Sequence, residues 1–270
     1  VHPIEHLRYV ARAQGADPTS LVEETAHALG SLHFDPSGLV VACRRIVERH
    51  PFTGALWWLC ANVATSAEPF DAVWELADEI RSDRTGAELA AVIPDEAIVV
   101  TIGDPDVIGD GLIRRGDVRV LALDAGFTAT SFVRRLERYD VDVDPVDSGV
   151  AGAAVRHAGV VLVEALAIDS GRAVVPIGSS TIAGAAAAFG VEVWVVAGVG
   201  RRLPPGFLDA MVTKVDALGA EVDPWALDVE VIPTSMFSHV VGPHGKVPMG
   251  PPAIVAECPM AHELLRPSHI

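Results

Sequence analysis

Three carboxylates in the second half of the chain stand where short apolar runs end: Asp104 after AIVVTIG, Asp147 after VDVDPV, and Glu164 within GVVLVEAL. Carboxylates crowded into a cleft raise one another's pKa and leave a proton available near neutrality, which is what acid/base catalysis needs. Glu164, Asp147 and Asp104 are therefore the candidate catalytic residues. The same run ends carry anion-accepting groups. Gly103 closes the first run, Ser148 follows Asp147, Gly178-Ser179-Ser180 opens a helix with its backbone amides, and Arg201-Arg202 follow VVAGVG. Helix-start amides and guanidinium forks both suit phosphate, so Gly103, Ser148, Gly178, Ser179, Ser180, Arg201 and Arg202 make up the candidate ligand-binding set. Plainer readings stand beside these. Glu164 can form a structural ion pair with Arg156, Arg172 or Arg201, Asp147-Ser148 is an ordinary helix cap, and Arg201-Arg202 can open a solvated loop before LPPG.

Positioning such groups requires a sheet whose strand ends converge. Residues 97–103, 118–126, 141–149, 159–166, 191–200 and 227–235 are short β-branched runs with amphipathic helical text between most of them. Strands that are apolar nearly throughout and alternate with helices predict a mainly parallel sheet covered on both faces, with ligands beyond the carboxyl ends. Before Pro94 the apolar period is helical, in IEHLRYVARA, LVEETAHALG, LVVACRRIVERH, TGALWWLCANVATS and FDAVWELADEI. The separators ADPTS, HFDPS, HPFTG and AEPF supply caps or a first-turn proline. The expectation is an α/β chain with a helical domain over 1–95 and a sheet domain over 96–270. The text after the first strand, DPDVIGDGLIRRG, does not make a dinucleotide fingerprint. Its glycines are misplaced, and Asp104, Asp106 and Asp110 would face a pyrophosphate. No cofactor is implied.

Composition excludes other classes. A formal charge of −16 repels phosphate backbones and anionic membranes, and the basic stretches RRIVERH and RRLER are mixed with Glu, as solvated helix faces are. Nucleic acid is not an expected partner. Three scattered cysteines, Cys43, Cys60 and Cys258, form neither a disulfide framework nor a CxxC knuckle, and a reducing cytoplasm is the expected compartment. His239 and His244 lack a defined zinc spacing with Cys258, so no metal is expected. The run ALWWLCANVA falls short of the roughly 20 residues that span a bilayer.

Over residues 143–200, VDPVDSGVAGAAVRHAGVVLVEALAIDSGRAVVPIGSSTIAGAAAAFGVEVWVVAGVG, the order is strand, DS, helix, strand ending in A-x-A-I, Gly turn, IG[ST], helix, and strand into V-A-G. It resembles the translation initiation factor 2B α/β/δ subunits and their enzyme relatives, the methylthioribose-1-phosphate and ribose-1,5-bisphosphate isomerases. The resemblance implies a helical domain before a Rossmann-like one, a sugar phosphate or nucleotide as ligand, and a homodimer through the C-terminal domain. It also shows what is missing. The isomerases' cysteine falls at Ile102 or Gly103, their G-A-D element reads Glu164-Ala165-Leu166, and their Asn-Lys pair is Val175-Pro176. Aldose-ketose isomerisation needs a positioned acid/base pair, so that mechanism cannot run here as it does in the enzymes. A non-isomerising ligand-binding protein and an isomerase-like enzyme with rebuilt acid/base residues both stay open. Residues 164 and 166 share one face of a strand, which places Glu164 one step from the family's aspartate.

Overall fold

A computed structural model describes residues 18–32, 36–124 and 129–266. The predicted helix IEHLRYVARA lies outside the described residues. The next four predicted helices are present as α1 (Pro18–Gly30), α2 (Pro36–Arg49), α3 (Gly54–Thr65) and α4 (Pro69–Arg81). Proline opens α1, α2 and α4, where its missing N–H has no intrahelical acceptor to lose. Helix α3 is apolar on nearly every side, and Ala55 through Ala61 are all buried, so it forms the centre of the helical cluster. A fifth helix, α5 (Thr85–Val92), forms from TGAELAAV, which is too short to show a period. Its Leu89 joins Ile108 and Leu112 in the core on one face of the sheet.

The sheet segments alternate with helices in chain order: β1 (Ile98–Ile102), α6 (Asp106–Arg115), β2 (Arg119–Leu123), α7 (Ala129–Arg138), β3 (Asp142–Val146), α8 (Ala151–His157) and β4 (Val160–Glu164). Then come β5 (Ala167–Ile168), β6 (Arg172–Pro176), α9 (Ser179–Phe189), β7 (Val193–Val196), α10 (Pro205–Glu221), β8 (Val229–Pro233), β9 (His239–Gly242) and β10 (Gly245–Pro248). Seven strands form one sheet in the order β10-β9-β7-β4-β1-β2-β3, parallel except for the β9–β10 hairpin. Chain order runs outward from β1 through β2 to β3 and then returns to the other side of β1 with β4. The carboxyl ends of β1 and β4 therefore flank the switch point, where open α/β sheets leave a crevice for ligands.

Residues 227–235 depart from the expectation. They do form a strand, but β8 pairs antiparallel with β6 in a separate sheet of order β5-β6-β8. The turn at Gly171 reverses the chain between β5 and β6, and their backbones need a partner off the main sheet. The place beside β7 is taken by β9, four residues within SHVVGPHG that are too short and too polar at their flanks to read as a strand.

The two halves meet at a tight backbone contact. Gly54 N donates to Leu166 O at 3.0 Å, and a Cβ at Gly54 would lie 2.3 Å from that oxygen. Gly54→Ala must push α3 off the strand end, an overpacking expected to lower the unfolding free energy by about 1–3 kcal/mol. Chemical denaturation measures it, and an unchanged midpoint would mean that α3 can slide without loss.

Candidate functional site

Along β4, side chains alternate between the two faces of the sheet. Val161 and Val163 join the α8 and α9 side, while Val160 and Leu162 join the α6 and α7 side. The period of two carries Glu164 to the α6 side. There its carboxylate meets the start of the helix that follows β1. Oε1 accepts from Asp106 N at 3.2 Å and Oε2 from Ile108 N at 2.9 Å. Arg201 Nη1 donates to Oε1 at 2.6 Å and to Ala165 O at 2.8 Å. Glu164 and Arg201 are 5% and 4% exposed. Helix amides, the helix dipole and a guanidinium converge on one anion, the combination by which a switch-point crevice usually holds a phosphate. Here the chain supplies that anion itself. Of the ion pairs open to Glu164, the one with Arg201 is formed. Arg156 lies over the Phe189 ring at 5.9 Å, and Arg172 pairs with Asp169 and Asp209.

The other candidate acids stand apart from it. Asp147 accepts from Gly149 N at 2.7 Å and leads into α8 on the opposite face of the sheet, with Ser148 exposed beside it. Asp104 accepts from Ser131 Oγ and lies 3.6 Å from Arg135. No hydrogen bond or ion pair joins any two of Glu164, Asp147 and Asp104. Gly103 takes a positive φ of 79° and donates its N–H to Leu123 O at 3.0 Å.

The amide cradle at the start of α9 is also filled from within. Gly178 has φ 90°, which suits glycine, and Ser179 Oγ donates to Pro176 O at 2.6 Å. Ser180 N and Oγ donate to the two oxygens of Glu230 at 2.9 and 2.6 Å. Glu230 comes from β8, opposite Val175 of β6. In the loop after β7, Val199 N donates to Asp83 at 2.9 Å and Gly200 N to Glu257 at 2.8 Å. Arg202 Nη2 is 2.9 Å from Glu257. Burial raises the Glu257 carboxyl above the usual carboxylate range, against the pull of Arg202 and of the amides that donate to it.

Asp83, Glu230 and Glu257 are the residues that sequence reasoning missed. They lie 116, 50 and 57 positions from Val199, Ser180 and Gly200, whose amides they bind, so no local motif could reveal these partnerships. Leu166 and Val175, which the sequence resemblance sets against polar residues of the isomerases, have apolar surroundings. Leu166 packs against the helical cluster and Val175 is fully buried in β6.

Other features offer less chemistry. Among the described residues, no group of three or more His, Cys, Asp or Glu side chains is placed to hold a metal ion. His239 Nδ1 sits 3.0 Å from Ser238 Oγ, and burial pushes the Cys258 thiol up to about 12. A shallow cleft of about 330 Å³ lined by Asn62, Ser66, Glu75 and Glu79 contains carboxylates and no cation. No described helix is long and apolar enough to cross a membrane.

No protein-family model and no curated protein sequence matches this chain. Its fold, however, is that of solved initiation factor subunits. The translation initiation factor eIF-2B of Pyrococcus horikoshii OT3 superposes with a TM-score of 0.76 at 16% identity, covering 94% of this chain and 98% of that one. A chain of the tetrameric eIF2B-beta2-delta2 complex from C. thermophilum gives 0.71 at 15% identity, covering 93% and 91%. The delta subunit of eIF-2B from A. fulgidus gives 0.57 at 14%, covering 92% and 88%. At such identities the likeness is one of fold.

Glu164→Gln keeps the side chain's size and removes the charge that Arg201 and the α6 amides face. Removing one partner of a buried pair costs about 3–5 kcal/mol. Since Gln retains one acceptor oxygen, the loss is expected near the lower end. Equilibrium unfolding reads it, together with a Glu164→Leu/Arg201→Met variant that should recover much of the loss because it leaves no lone charge behind. A Glu164→Gln variant as stable as the parent would return the residue to the ligand.

Proposed function

We propose that this chain is a factor 2B-like, cytoplasmic binding protein. In this reading residues 1–95 are a helical domain and 96–270 a Rossmann-like domain that takes a sugar phosphate or nucleotide at its strand ends. The chain pairs as a homodimer through that second domain and does not carry out the isomerisation of the enzyme relatives. The observation that carries this reading is the engagement of Glu164. Its oxygens accept from Asp106 N, Ile108 N and Arg201, so it is committed to holding β1, β4 and the β7 loop together. A general acid or base must instead exchange protons with a substrate. The alternative, an isomerase with rebuilt residues, would have to work through Asp104 or Asp147, each bonded to its own neighbours.

Turnover of methylthioribose 1-phosphate and ribose 1,5-bisphosphate in a coupled assay tests the point. The expected rate is well below the usual enzyme range of about 1 to 1,000 per second, and turnover inside that range would establish the alternative.

Support for pairing comes from the α8 and α9 face of the sheet. Val150 and Phe189 are 55% and 47% exposed there, and a Cβ at Gly152 or Gly184 would meet nothing within 4 Å. Glycine inside a helix costs about 1 kcal/mol relative to alanine, and no contact among the described residues calls for it at these positions. A second subunit approaching closely would. Phe189→Asp combined with Val150→Asp is expected to halve the mass measured by light scattering while leaving the circular dichroism spectrum unchanged. A parent protein already at monomer mass would remove the homodimer.

A further inference from the structure

The bonding of Arg202 is incomplete. Nη2 lies 2.9 Å from Glu257 Oε1, with the Arg202 side chain 13% exposed. Nε is buried without a partner. The other Glu257 oxygen is shared between Gly200 N at 2.8 Å and Arg202 N at 3.3 Å. The loop thus presents four donors to one carboxylate, and one donor is left over. A buried donor without an acceptor is unfavourable. A phosphate monoester carries three terminal acceptor oxygens, enough to take the Nε–Nη2 fork and both amides together.

The surroundings suit an exchange of one anion for another. Gly242, at the end of β9, leaves room for the guanidinium, since a Cβ there would lie 2.8 Å from Arg202 Nη2. Residues 254–261, which carry Glu257, belong to no helix or strand, and Val255 is 67% exposed. Glu257 is costly as an ion in its present place, because burial and the nearby Asp83 both raise its pKa. Asp83 is a fixed wall of the site. Its carboxylate accepts from Val199 N, Thr85 N and Thr85 Oγ1. Arg201 is held by Glu164, so Arg202 is the guanidinium of this loop that can change partner.

The structure assigns the Gly200–Arg202 loop as a binding site for the phosphate group of a small phosphorylated molecule, with Glu257 as the internal competitor that swings out when phosphate enters. This rests on the reading that the chain binds a phosphorylated ligand, and it adds where the phosphate sits and what must move.

The probe is inorganic phosphate, titrated by thermal shift against chloride at matched ionic strength. Three proteins are compared: the parent, Glu257→Ala, and Glu257→Ala/Arg202→Ala. The single variant should be stabilised saturably, with an apparent affinity at least about tenfold tighter than the parent's, and the double variant should lose the effect. Equal affinity in the parent and Glu257→Ala, or binding undiminished in the double variant, overturns the assignment. If Glu257→Ala fails to fold, hydrogen exchange at the Gly200 and Arg202 amides of the parent decides. Exchange should change in phosphate relative to chloride, and an unchanged rate overturns the assignment too. Sugar phosphates and nucleotides separate the two levels of the reading. Binding by the parent that survives Arg202→Ala removes this site and keeps the wider function, whereas no binding by any of the proteins removes both.

Discussion

The buried ion pair between Glu164 and Arg201 is the constraint on which the carboxyl face of the sheet depends. It ties together the end of β4, the first turn of α6 after β1, and the loop after β7. The same loop reaches the second sheet, because Ile168 N of β5 donates to Arg201 O at 2.8 Å. One carboxylate therefore fixes the strand ends at the switch point and the connection between the two sheets. In the low-dielectric interior such a group is stable only with every partner present.

The pattern extends beyond that pair. Asp83, Glu230 and Glu257 each satisfy backbone amides at a helix start or a glycine loop, the positions that commonly bind anionic ligands. An excess of acidic residues is usually read as a statement about solubility and partners. In this chain part of that excess is structural, and it takes over interactions that a bound phosphate makes in other sheets of this kind. The positions that the sequence resemblance sets against the isomerases' cysteine, aspartate and Asn-Lys pair are Ile102 or Gly103, Leu166 and Val175-Pro176.

Much of the fold was legible because it is encoded locally. The β-branched runs of β1 through β4 and β7, the amphipathic text of α1, α2 and α4 and the apolar run of α3 each announce themselves within a dozen residues. Strand β9 was not legible, since four residues between Ser238 and Pro243 carry too little pattern, and the antiparallel partnership of β8 with β6 is a property of two distant segments. The site divided along the same line. Glu164, Gly178 and Arg201 could be found from strand ends and turns, whereas the carboxylates that occupy the amides come from 50 or more positions away. The residue types were visible, and the partnerships were decided by packing.

The core around α3 is completed by side chains from the far end of the chain. Phe207, Leu208 and Met211 of α10, with Ala261 and Leu264 beyond it, pack in one cluster with Leu56, Trp57 and Leu59. During synthesis at about 5–20 residues per second, the interval between making α4 and making Leu264 is roughly ten to forty seconds. For that interval α1, α2 and α4 pack around α3, and the part of the cluster that Ala261 and Leu264 complete stays open. The helices around α3 are thus an early product waiting for a late one, and part of their apolar surface stays open for chaperones to shield until residues 261–264 are made.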